Sequence, residues 1–557
     1  MLSYSIIALI MSNAVNNRRD LTILYSRIAV LILIFCSFFT YNIFYYDYIN
    51  NGIIILNGLF CIENYSIFFS LVILLISALI MGITSVFNLK KNNSYIFRLI
   101  NVKNVDWKNR IVSNTMNEHY RIMEYPLILL FCITGTIFLM LSFDIISIFL
   151  SIELQSYALY LICSIYRNSE SSTNAGLTYF LLGGLSSCII LLGLTLLYVN
   201  TGNSNLENFY ILNNISDIFY YSIIYNNNIV DLSSTSFNNI NIVDILSSIN
   251  VQYIYIQISL IIMSVGFLFK IGSAPFHFWS PDVYDAVPTV TTTFIAIIPK
   301  ISILIFLYKV LYYTSSNIII LSWVNNIILS SILSLIIGSI LGLTQFRIKR
   351  LFAYSTISHI GFILIVLSIN NIESSKAFFF YLLQYSISNF NAFLILIVIG
   401  YTLQAYYINK EKYNIIKTKD INYSPVQLIS QLKGYFNINP TLTISLSLTL
   451  FSFAGIPPLM GFFAKQLVLT AALNTNMFLI VIIAIITSVI SAVYYLFIIK
   501  LMCFDDEIYK TNSNRNNIKN EYYISSFYSF SISFITLTLL LFIFFESDIY
   551  RILYIII

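Results

Sequence analysis

Five ionisable side chains lie deep within apolar stretches of this sequence, far from its polar loops. They are Glu153, Lys270, Lys300, His359 and Lys465. A charged side chain near the centre of a bilayer costs roughly 2.5–3.5 kcal/mol even on a lenient insertion scale. A chain that keeps several such groups is therefore expected either to pair them or to use them chemically.

These residue types suit proton transfer. A lysine away from bulk water holds its proton less tightly, a nearby carboxylate favours the charged form again, and histidine titrates near neutrality. We therefore interpret the five residues as a proton relay in which Glu153 modulates Lys270. The alternative is a set of static buried ion pairs, but one acid cannot pair with three lysines and a histidine. His359 taken alone could also be an ordinary core histidine.

Other chemistry has little support in the sequence. His277 could gate or cap a helix break, and Asp144 is expected to cap a helix or to pair with a cation. The six cysteines stand singly, so neither a disulfide framework nor a metal set is expected. There is no glycine-rich phosphate loop, dinucleotide fingerprint or serine-nucleophile motif. We predict that this chain binds no metal and no flavin, nicotinamide or haem.

The elements that must position these residues are membrane helices. The 557 residues are 58% hydrophobic and 10% charged, which excludes a soluble domain and predicts an all-α polytopic membrane protein. Apolar runs of roughly 17–25 residues, the length that crosses a bilayer, indicate fourteen transmembrane helices. Their approximate ranges are 1–16, 21–44, 66–88, 126–143, 145–166, 175–200, 253–278, 287–311, 317–342, 352–369, 376–407, 440–472, 476–503 and 523–546.

The charges separate onto two sides when the chain is threaded through these helices. One side receives the basic loops 89–125 and 409–434 and the basic cluster at 347–350, whereas the 201–252 loop on the other side has no lysine or arginine. By the positive-inside rule the basic side faces the cytoplasm or an organelle matrix, and both termini lie opposite. The 201–252 loop is expected to be a solvated connector. Lysines near helix ends, such as Lys309 and Lys376, are expected to snorkel into water.

Two parts of the chain resemble each other. Glu-Ser-Ser triplets follow the fifth and tenth predicted helices, at Glu170 and Glu373, and the seventh and twelfth helices each combine a lysine with prolines, at Pro275 and at Pro457–Pro458. A unit of five helices, an odd number, must enter the membrane from alternate faces, which predicts two inverted repeats that each contain a broken helix. The predicted segments are a three-helix segment at 1–88, repeats at 126–311 and 317–503, and a C-terminal loop and helix at 504–557.

Four motifs carry a resemblance to a known family. They are FLSIELQSYALYL, GFLFKIGSAPFHFWSPDVYDAVPT, IKRLFAYSTISHIGF and FAGIPPLMGFFAKQLVL. Over approximately residues 120–500 the chain resembles the antiporter-like membrane subunits of respiratory complex I. The resemblance implies a subunit that moves protons while redox chemistry happens in other subunits. It places the functional residues of the family on Glu153, Lys270, Lys300 and Lys465.

The resemblance also implies partners and a location. NADH, FMN, iron–sulfur clusters and ubiquinone are expected in partner subunits, and the expected neighbours are other complex I membrane-arm subunits and lipids, without nucleic acid. Three helices precede the repeat, as in bacterial, plant and fungal members, and the composition favours amino acids with AT-rich codons. Both features suggest the inner membrane of a fungal or protist mitochondrion. The alternatives are a stand-alone cation/proton antiporter and a structural membrane subunit without transport.

The separation of charges predicts that both termini face the intermembrane space and that loops 89–125 and 409–434 face the matrix. A tag at the C-terminus should be cleaved by protease added to intact mitoplasts, and a tag inserted into loop 89–125 should be protected. Protection of the C-terminal tag together with cleavage of the loop tag would reverse the topology.

Overall fold

The protein is almost entirely helical in the computed structural model, which describes residues 1–15, 22–44, 52–85, 124–166, 169–211, 239–314, 323–409, 426–505 and 526–556. Strands β1 (Ile53–Ile55) and β2 (Phe60–Ile62) form an antiparallel hairpin. The α-helices of these residues are α1 (Leu2–Val15), α2 (Thr22–Ile43), α3 (Asn64–Ser85), α4 (Tyr125–Leu141), α5 (Ile145–Ser164), α6 (Glu170–Thr201), α7 (Asn239–Ile271), α8 (Trp279–Ala286), α9 (Thr289–Thr314), α10 (Val324–Leu343), α11 (Ile348–Ile369), α12 (Ile372–Asn409), α13 (Pro440–Ala454), α14 (Met460–Asn474), α15 (Phe478–Cys503), α16 (Ser526–Leu540) and α17 (Phe542–Ile556).

Ten of the described helices are long and apolar enough to cross a membrane. Helices α16 and α17 are together long and apolar enough to cross a membrane, with an angle of 82° between them. Helices α1, α4 and α13 are also apolar but shorter. This pattern confirms the prediction of an all-α, multi-pass membrane protein.

The helices differ strongly in how much of their surface the rest of the chain covers. In α9 and in α11, 94% of the apolar membrane-crossing stretch is buried inside the protein. The corresponding share is 89% in α12 and 33% in α6. Helices α9, α11 and α12 therefore form the interior of the bundle. A polar side chain on any of them must be satisfied by neighbouring protein groups or by enclosed water, because lipid cannot supply a hydrogen bond.

Both predicted helix breaks are present. Helix α7 ends at Ile271, where Gly272 has φ +77°, and the chain passes through Pro275 before α8 begins. Helix α13 ends at Ala454, Gly455 has φ +84°, and α14 begins after the Pro457–Pro458 pair. Glycine adopts this left-handed conformation without steric cost, and the prolines supply no amide hydrogen to continue the helix.

Two details of the helix pattern differ from the sequence-based expectation. Helix α7 begins at Asn239, so the last part of the 201–252 stretch is helix and the expectation of a loop there is wrong. Residues 239–252 lack proline and glycine and carry isoleucine, valine and leucine at helical spacing. Helix α7 also ends seven residues before the expected boundary at 278. Residues 212–238 and most of the loops 89–125 and 409–434 lie outside the described residues.

The first residue of α5 and the first residue of α11 make equivalent backbone hydrogen bonds. The amide of Ile145 donates to the Ser204 carbonyl at 3.0 Å, and the amide of Ile348 donates to the Gln427 carbonyl, also at 3.0 Å. Helix–helix packing repeats at the same spacing. A Cβ on Gly135 would lie 2.7 Å from the amide nitrogen of Gln155, and a Cβ on Gly338 would lie 2.7 Å from that of Ser358. Helices α4–α5 and α10–α11 thus approach each other closely at equivalent places.

This close approach predicts that Gly338→Ala destabilises the protein. The new methyl group would have to push α10 and α11 apart, which costs about 1–3 kcal/mol and outweighs the gain of about 1 kcal/mol in helix propensity. The temperature at which half of the detergent-solubilised protein is lost from solution should fall. Gly184→Ala is the matched control, because nothing lies within 4 Å of a Cβ there. An equal melting temperature for both variants would contradict the prediction.

Candidate functional site: a buried row of ionisable side chains

Glu153 and Lys270 meet at the end of α7. Glu153 lies midway along α5, and Lys270 is the penultimate residue of α7. Lys270 Nζ lies 3.7 Å from Glu153 Oε1, and the two side chains are 7% and 14% exposed. Neither atom has a hydrogen-bond partner among the described residues. The pair is therefore held by mutual attraction, and the negative end of the α7 dipole adds support for the ammonium.

A small, partly open cavity with a volume of about 20 Å³ adjoins Lys270. Its polar lining comes from Gln155, Ser156, Tyr160, Tyr179 and Ser186. Gly183 also lines the cavity, and a Cβ there would lie 2.0 Å from Tyr160 Oη. Any side chain at position 183 would therefore displace the tyrosine. Although most of the lining is apolar, a cavity of this size with several polar groups can hold a water molecule beside the buried charge.

Lys300 lies on the central helix α9. Its Nζ donates a hydrogen bond of 3.2 Å to Thr356 Oγ1 on α11. The side chain is buried, and within the described ranges it forms no salt bridge. Two residues further along α9, Ser302 Oγ donates to Gln155 Oε1 at 3.3 Å, and Gln155 lines the cavity beside Lys270. Lys300 is thus placed between the cavity and α11.

His359 follows Thr356 by three residues on α11, so the two side chains share one face of the helix. Its Nδ1 lies 2.9 Å from Tyr381 Oη, and its Nε2 lies 3.4 Å from Tyr495 Oη. The ring is buried. These tyrosines satisfy both ring nitrogens, as in an ordinary core histidine, and they also continue the polar row from Thr356 towards the second helix break.

Lys465 lies on α14, beyond the second break. Its Nζ donates a hydrogen bond of 2.9 Å to the carbonyl of Ala454, the last residue of α13, and lies 5.5 Å from the centre of the Phe362 ring. Residue Phe453, next to that carbonyl, has its ring centre 5.2 Å from the His359 ring. The ammonium therefore lies at the negative end of a helix, near His359.

Three basic side chains hold α8 against the start of α11. Arg347 pairs with Asp285 at 2.5 Å, and Arg350 pairs with Asp282. Lys349 Nζ donates to the main-chain carbonyl just beyond α8 at 2.6 Å and to that of Asp285 at 3.3 Å. Arg347, Lys349 and Arg350 form what we call the basic clamp. It places positive charge at the C-terminal end of α8, where the helix dipole favours cations. It connects the first helix break to the helix that carries Thr356.

Three residues outside the row refine the sequence-based expectations. Asp144 occupies the N-cap position of α5 as expected, and its amide donates to Ser147 Oγ at 3.2 Å, but its carboxylate makes no capping hydrogen bond within the residues described. His277 lies buried in the first break, and its Nδ1 has no hydrogen-bond partner among the described residues. The snorkelling expected for Lys309 is wrong, because its side chain is fully buried beneath the hairpin that ends at Ile62.

Several polar residues of the site were not identified from the sequence. Thr356 lies 203 positions after Glu153, at the spacing of the two Glu-Ser-Ser triplets, and this signal could have found it. Gln155 and Ser302 each stand two residues after a residue that the sequence singled out, Glu153 and Lys300, but they carry no distinctive pattern of their own. Tyr284, whose ring centre lies 5.3 Å from Lys300 Nζ, and Tyr381 could not be distinguished among 42 tyrosines.

No group of three or more histidine, cysteine, aspartate or glutamate residues suited to a metal ion occurs in the described part of the chain. The cations of the site are instead compensated by one carboxylate, hydroxyl groups and carbonyl oxygens. Such a row can carry a positive charge stepwise, because each member can bind or release a proton or relay it through a hydroxyl.

Comparisons with known proteins agree with this geometry. Residues 142–491 match the family described as NADH:quinone oxidoreductase/Mrp antiporter, TM. The chain is 40% identical to NADH-ubiquinone oxidoreductase chain 2 of Rhizopus oryzae, over 91% of this chain and 86% of that protein. It is 30% identical to NADH-quinone oxidoreductase subunit N of Pelagibacter ubique, over 77% and 78% of the two chains.

Two solved structures share the fold. A chain of respiratory complex I from Thermus thermophilus superposes with a TM-score of 0.68 at 21% identity, covering 99% of this chain and 97% of that one. A chain of the Mrp complex from Dietzia sp. superposes with a TM-score of 0.69 at 15% identity, covering 100% and 95%. From the family match and the identity to its relatives, the chain belongs to the NADH:quinone oxidoreductase/Mrp antiporter transmembrane family.

Proposed function

We propose that the chain is a proton-translocating membrane-arm subunit of respiratory complex I. In this role NADH-to-ubiquinone electron transfer in other subunits drives protons through Glu153, Lys270, Lys300, His359 and Lys465. The observation that carries the proposal is the Glu153–Lys270 pair at 3.7 Å beside a polar cavity. The two relatives above, named as subunits of NADH:quinone and NADH:ubiquinone oxidoreductases, support the assignment to that complex.

The proposed mechanism depends on the distance between Glu153 and Lys270. In a medium of low dielectric constant the attraction between two charges falls steeply as they separate. Withdrawal of the carboxylate would leave the ammonium with only the end of α7 as support, and its proton could pass through the cavity and the Gln155–Ser302 contact towards Lys300. Thr356 and His359 would lead it on towards Lys465, where the second helix break provides an exit.

We propose that the helices form two inverted five-helix repeats at 126–311 and 317–503, between an N-terminal segment at 1–88 and a C-terminal segment at 504–557. The ten long helices, the bent pair and the three shorter apolar helices are compatible with fourteen membrane spans. The contacts that recur before α5 and α11 and at Gly135 and Gly338 support the repeat, since both recur 203 positions apart.

The proposed location is the inner mitochondrial membrane, with both termini in the intermembrane space. The proposal places NADH, FMN, iron–sulfur clusters and ubiquinone in partner subunits, with other membrane-arm subunits and lipids as neighbours. A stand-alone cation/proton antiporter is the second candidate, because the Mrp complex shares the fold. The mass of the solubilised assembly distinguishes them: the antiporter would run near the 64.0 kDa of one chain, and complex I as a far larger particle with NADH activity.

We expect Lys270→Met to abolish most proton translocation while the complex still assembles. Methionine has a similar length and removes the desolvation cost of the ammonium, while the 14% exposure of the Glu153 side chain limits the cost of leaving its carboxylate without a partner. The measurement is the number of protons moved per NADH oxidised in vesicles that contain the variant complex. Glu153→Gln should impair translocation similarly, whereas Glu153→Asp should be milder. A normal ratio in Lys270→Met would leave this lysine as a structural charge and would refute the relay.

Thr356→Val tests the step between Lys300 and α11. Valine keeps the volume of threonine and removes the hydroxyl that accepts the hydrogen bond from Lys300. We expect assembly to be unchanged and the protons moved per NADH to fall severalfold, because the buried ammonium loses its one hydrogen bond to a side chain. Thr356→Ser, which keeps the hydroxyl, should retain activity. Equal ratios in the valine and serine variants would exclude Thr356 from the route.

A further inference from the structure

Besides Lys300, helix α9 carries another buried lysine, which lies at the opposite end of the helix from the basic clamp. Lys309 is fully buried. Its Nζ donates hydrogen bonds to the carbonyl oxygen of Cys61, in β2, at 3.3 Å and to that of Leu141, at the end of α4, at 3.5 Å. The ring centre of Phe143 lies 5.2 Å away. No salt bridge to Lys309 occurs within the described ranges, so a cation in this place has no direct counterion.

The hydrogen bonds of Lys309 are compatible with two protonation states. An ammonium group has three N–H donors, and a neutral amine has two. The two carbonyl oxygens accept two hydrogen bonds, so the amine can lose a proton without leaving either carbonyl unsatisfied. A lysine that served only as a cationic tether would gain from a third acceptor or a carboxylate, and the surroundings of Nζ provide neither in the part of the chain described.

A carboxylate lies beside this lysine but not in contact with it. Glu63 stands at the start of α3 and is partly exposed. Its Oε1 accepts hydrogen bonds from Tyr313 Oη at 2.9 Å and from Cys61 Sγ at 3.7 Å, and its buried Oε2 has no hydrogen-bond partner among the described residues. Tyr313 follows Lys309 by one helical turn on α9, so the two side chains point to the same side of the helix. Lys309 and the tyrosine that binds Glu63 therefore lie on the same face of α9. This arrangement brings the basic amine and the acidic carboxylate to the same side of the helix.

The neighbouring thiol cannot replace the acid. Burial, above all, raises the pKa of Cys61 to about 12, an effect that Lys309 partly offsets, so the thiol stays protonated at physiological pH. The other titratable or charged groups around the pair are Tyr65 on α3, Asp144 between α4 and α5, Glu207 and Tyr210 after α6, and Tyr308 and Tyr312 on α9.

The position of the pair along α9 fits an outlet. Helix α9 begins two residues after Val287, whose carbonyl Lys349 of the basic clamp contacts. Lys309 lies twenty residues beyond the start of the helix, which corresponds to about 30 Å along its axis. Lys300 lies between the two ends. A proton released near Lys309 would therefore leave on the face opposite the basic clamp.

We propose that Lys309, Glu63 and Tyr313 form a proton-release site at this face, in addition to the exit at Lys465. The Lys309 ammonium gives a proton to the Glu63 carboxylate, through water or after a change of the lysine rotamer, which leaves a neutral amine and a carboxylic acid. The acid then releases the proton to the solvent that the partly exposed Glu63 side chain borders, after a rotation that brings its buried Oε2 outward, and the amine is recharged from within the protein. This inference rests on the proposed function of the chain.

Lys309→Gln in the intact complex is the principal test. A glutamine amide retains two N–H donors for the two carbonyl oxygens but cannot carry a proton. We expect unchanged assembly and a reduced number of protons moved per NADH oxidised. Glu63→Gln should lower the same ratio, because its amide can still accept from Tyr313 but cannot release a proton. Lys309→Arg, which keeps a permanent charge, should be as impaired as Lys309→Gln.

Two control variants separate this site from general effects of charge removal. Lys376→Gln removes a lysine near the start of α12 whose Nζ lies over the Tyr554 ring. Glu373→Gln removes an exposed glutamate in the first turn of α12, hydrogen-bonded to Asn474. In both control variants, the number of protons moved per NADH oxidised should be unchanged. A drop of equal size in these controls would attribute the effect to surface charge and overturn the proposal.

The outcomes distinguish this proposal from the function on which it rests. A normal ratio in Lys309→Gln together with a reduced ratio in Lys270→Met would show that Lys309 is a structural tether and would leave the relay intact. Normal ratios in both would refute the proposed function itself. If Lys309→Gln reduced the amount of assembled complex, Glu63→Gln would decide, and a normal ratio in that variant would overturn the release site.

Discussion

The ion pair between Glu153 and Lys270 depends on the break between α7 and α8, and the rest of the site depends on that pair. A continuous helix would place Lys270 in mid-span, where only side chains could compensate its charge. The break after Ile271 places Lys270 in the last turn of α7, where the helix dipole favours a cation. It also makes room for the cavity that Gly183 and Tyr160 line. One local departure from helical structure thus supplies the charge compensation, the polar space and the route onward.

The buried lysines are compensated in three different ways. Lys270 has a carboxylate and a helix end, Lys465 has the carbonyl of Ala454 at another helix end, and Lys300 has the hydroxyl of Thr356. Lys349 differs from them, because two carbonyl contacts and the nearby Asp285 fix it at the end of α8. The buried lysines of this fold therefore differ in their surroundings, and the type of residue alone does not assign a role to any of them.

The sequence predicted those features that a single residue type determines. Full charges in apolar runs indicated Glu153 and Lys270, and prolines without an amide hydrogen indicated both breaks. It could not predict contacts between residues far apart in the chain, such as Lys300 with Thr356, because the repeat spacing marks Thr356 as a position but does not indicate which side chain it faces. Lys309 was misjudged for a related reason. Its position near a helix end suggested access to water, but the β1–β2 hairpin, distant in sequence, covers that end.

The basic clamp extends the influence of the first break into the second half of the protein. Helix α8 follows the break directly, and Arg347, Lys349 and Arg350 join it to the first turn of α11. Helix α11 carries Thr356, about two turns further along, and then His359. A shift of α8 that altered the Glu153–Lys270 distance would therefore pull on the helix whose Thr356 accepts a hydrogen bond from Lys300. Coupling between the two breaks needs a contiguous, packed connection. Helix α11 provides one, because 94% of its apolar membrane-crossing stretch is buried inside the protein.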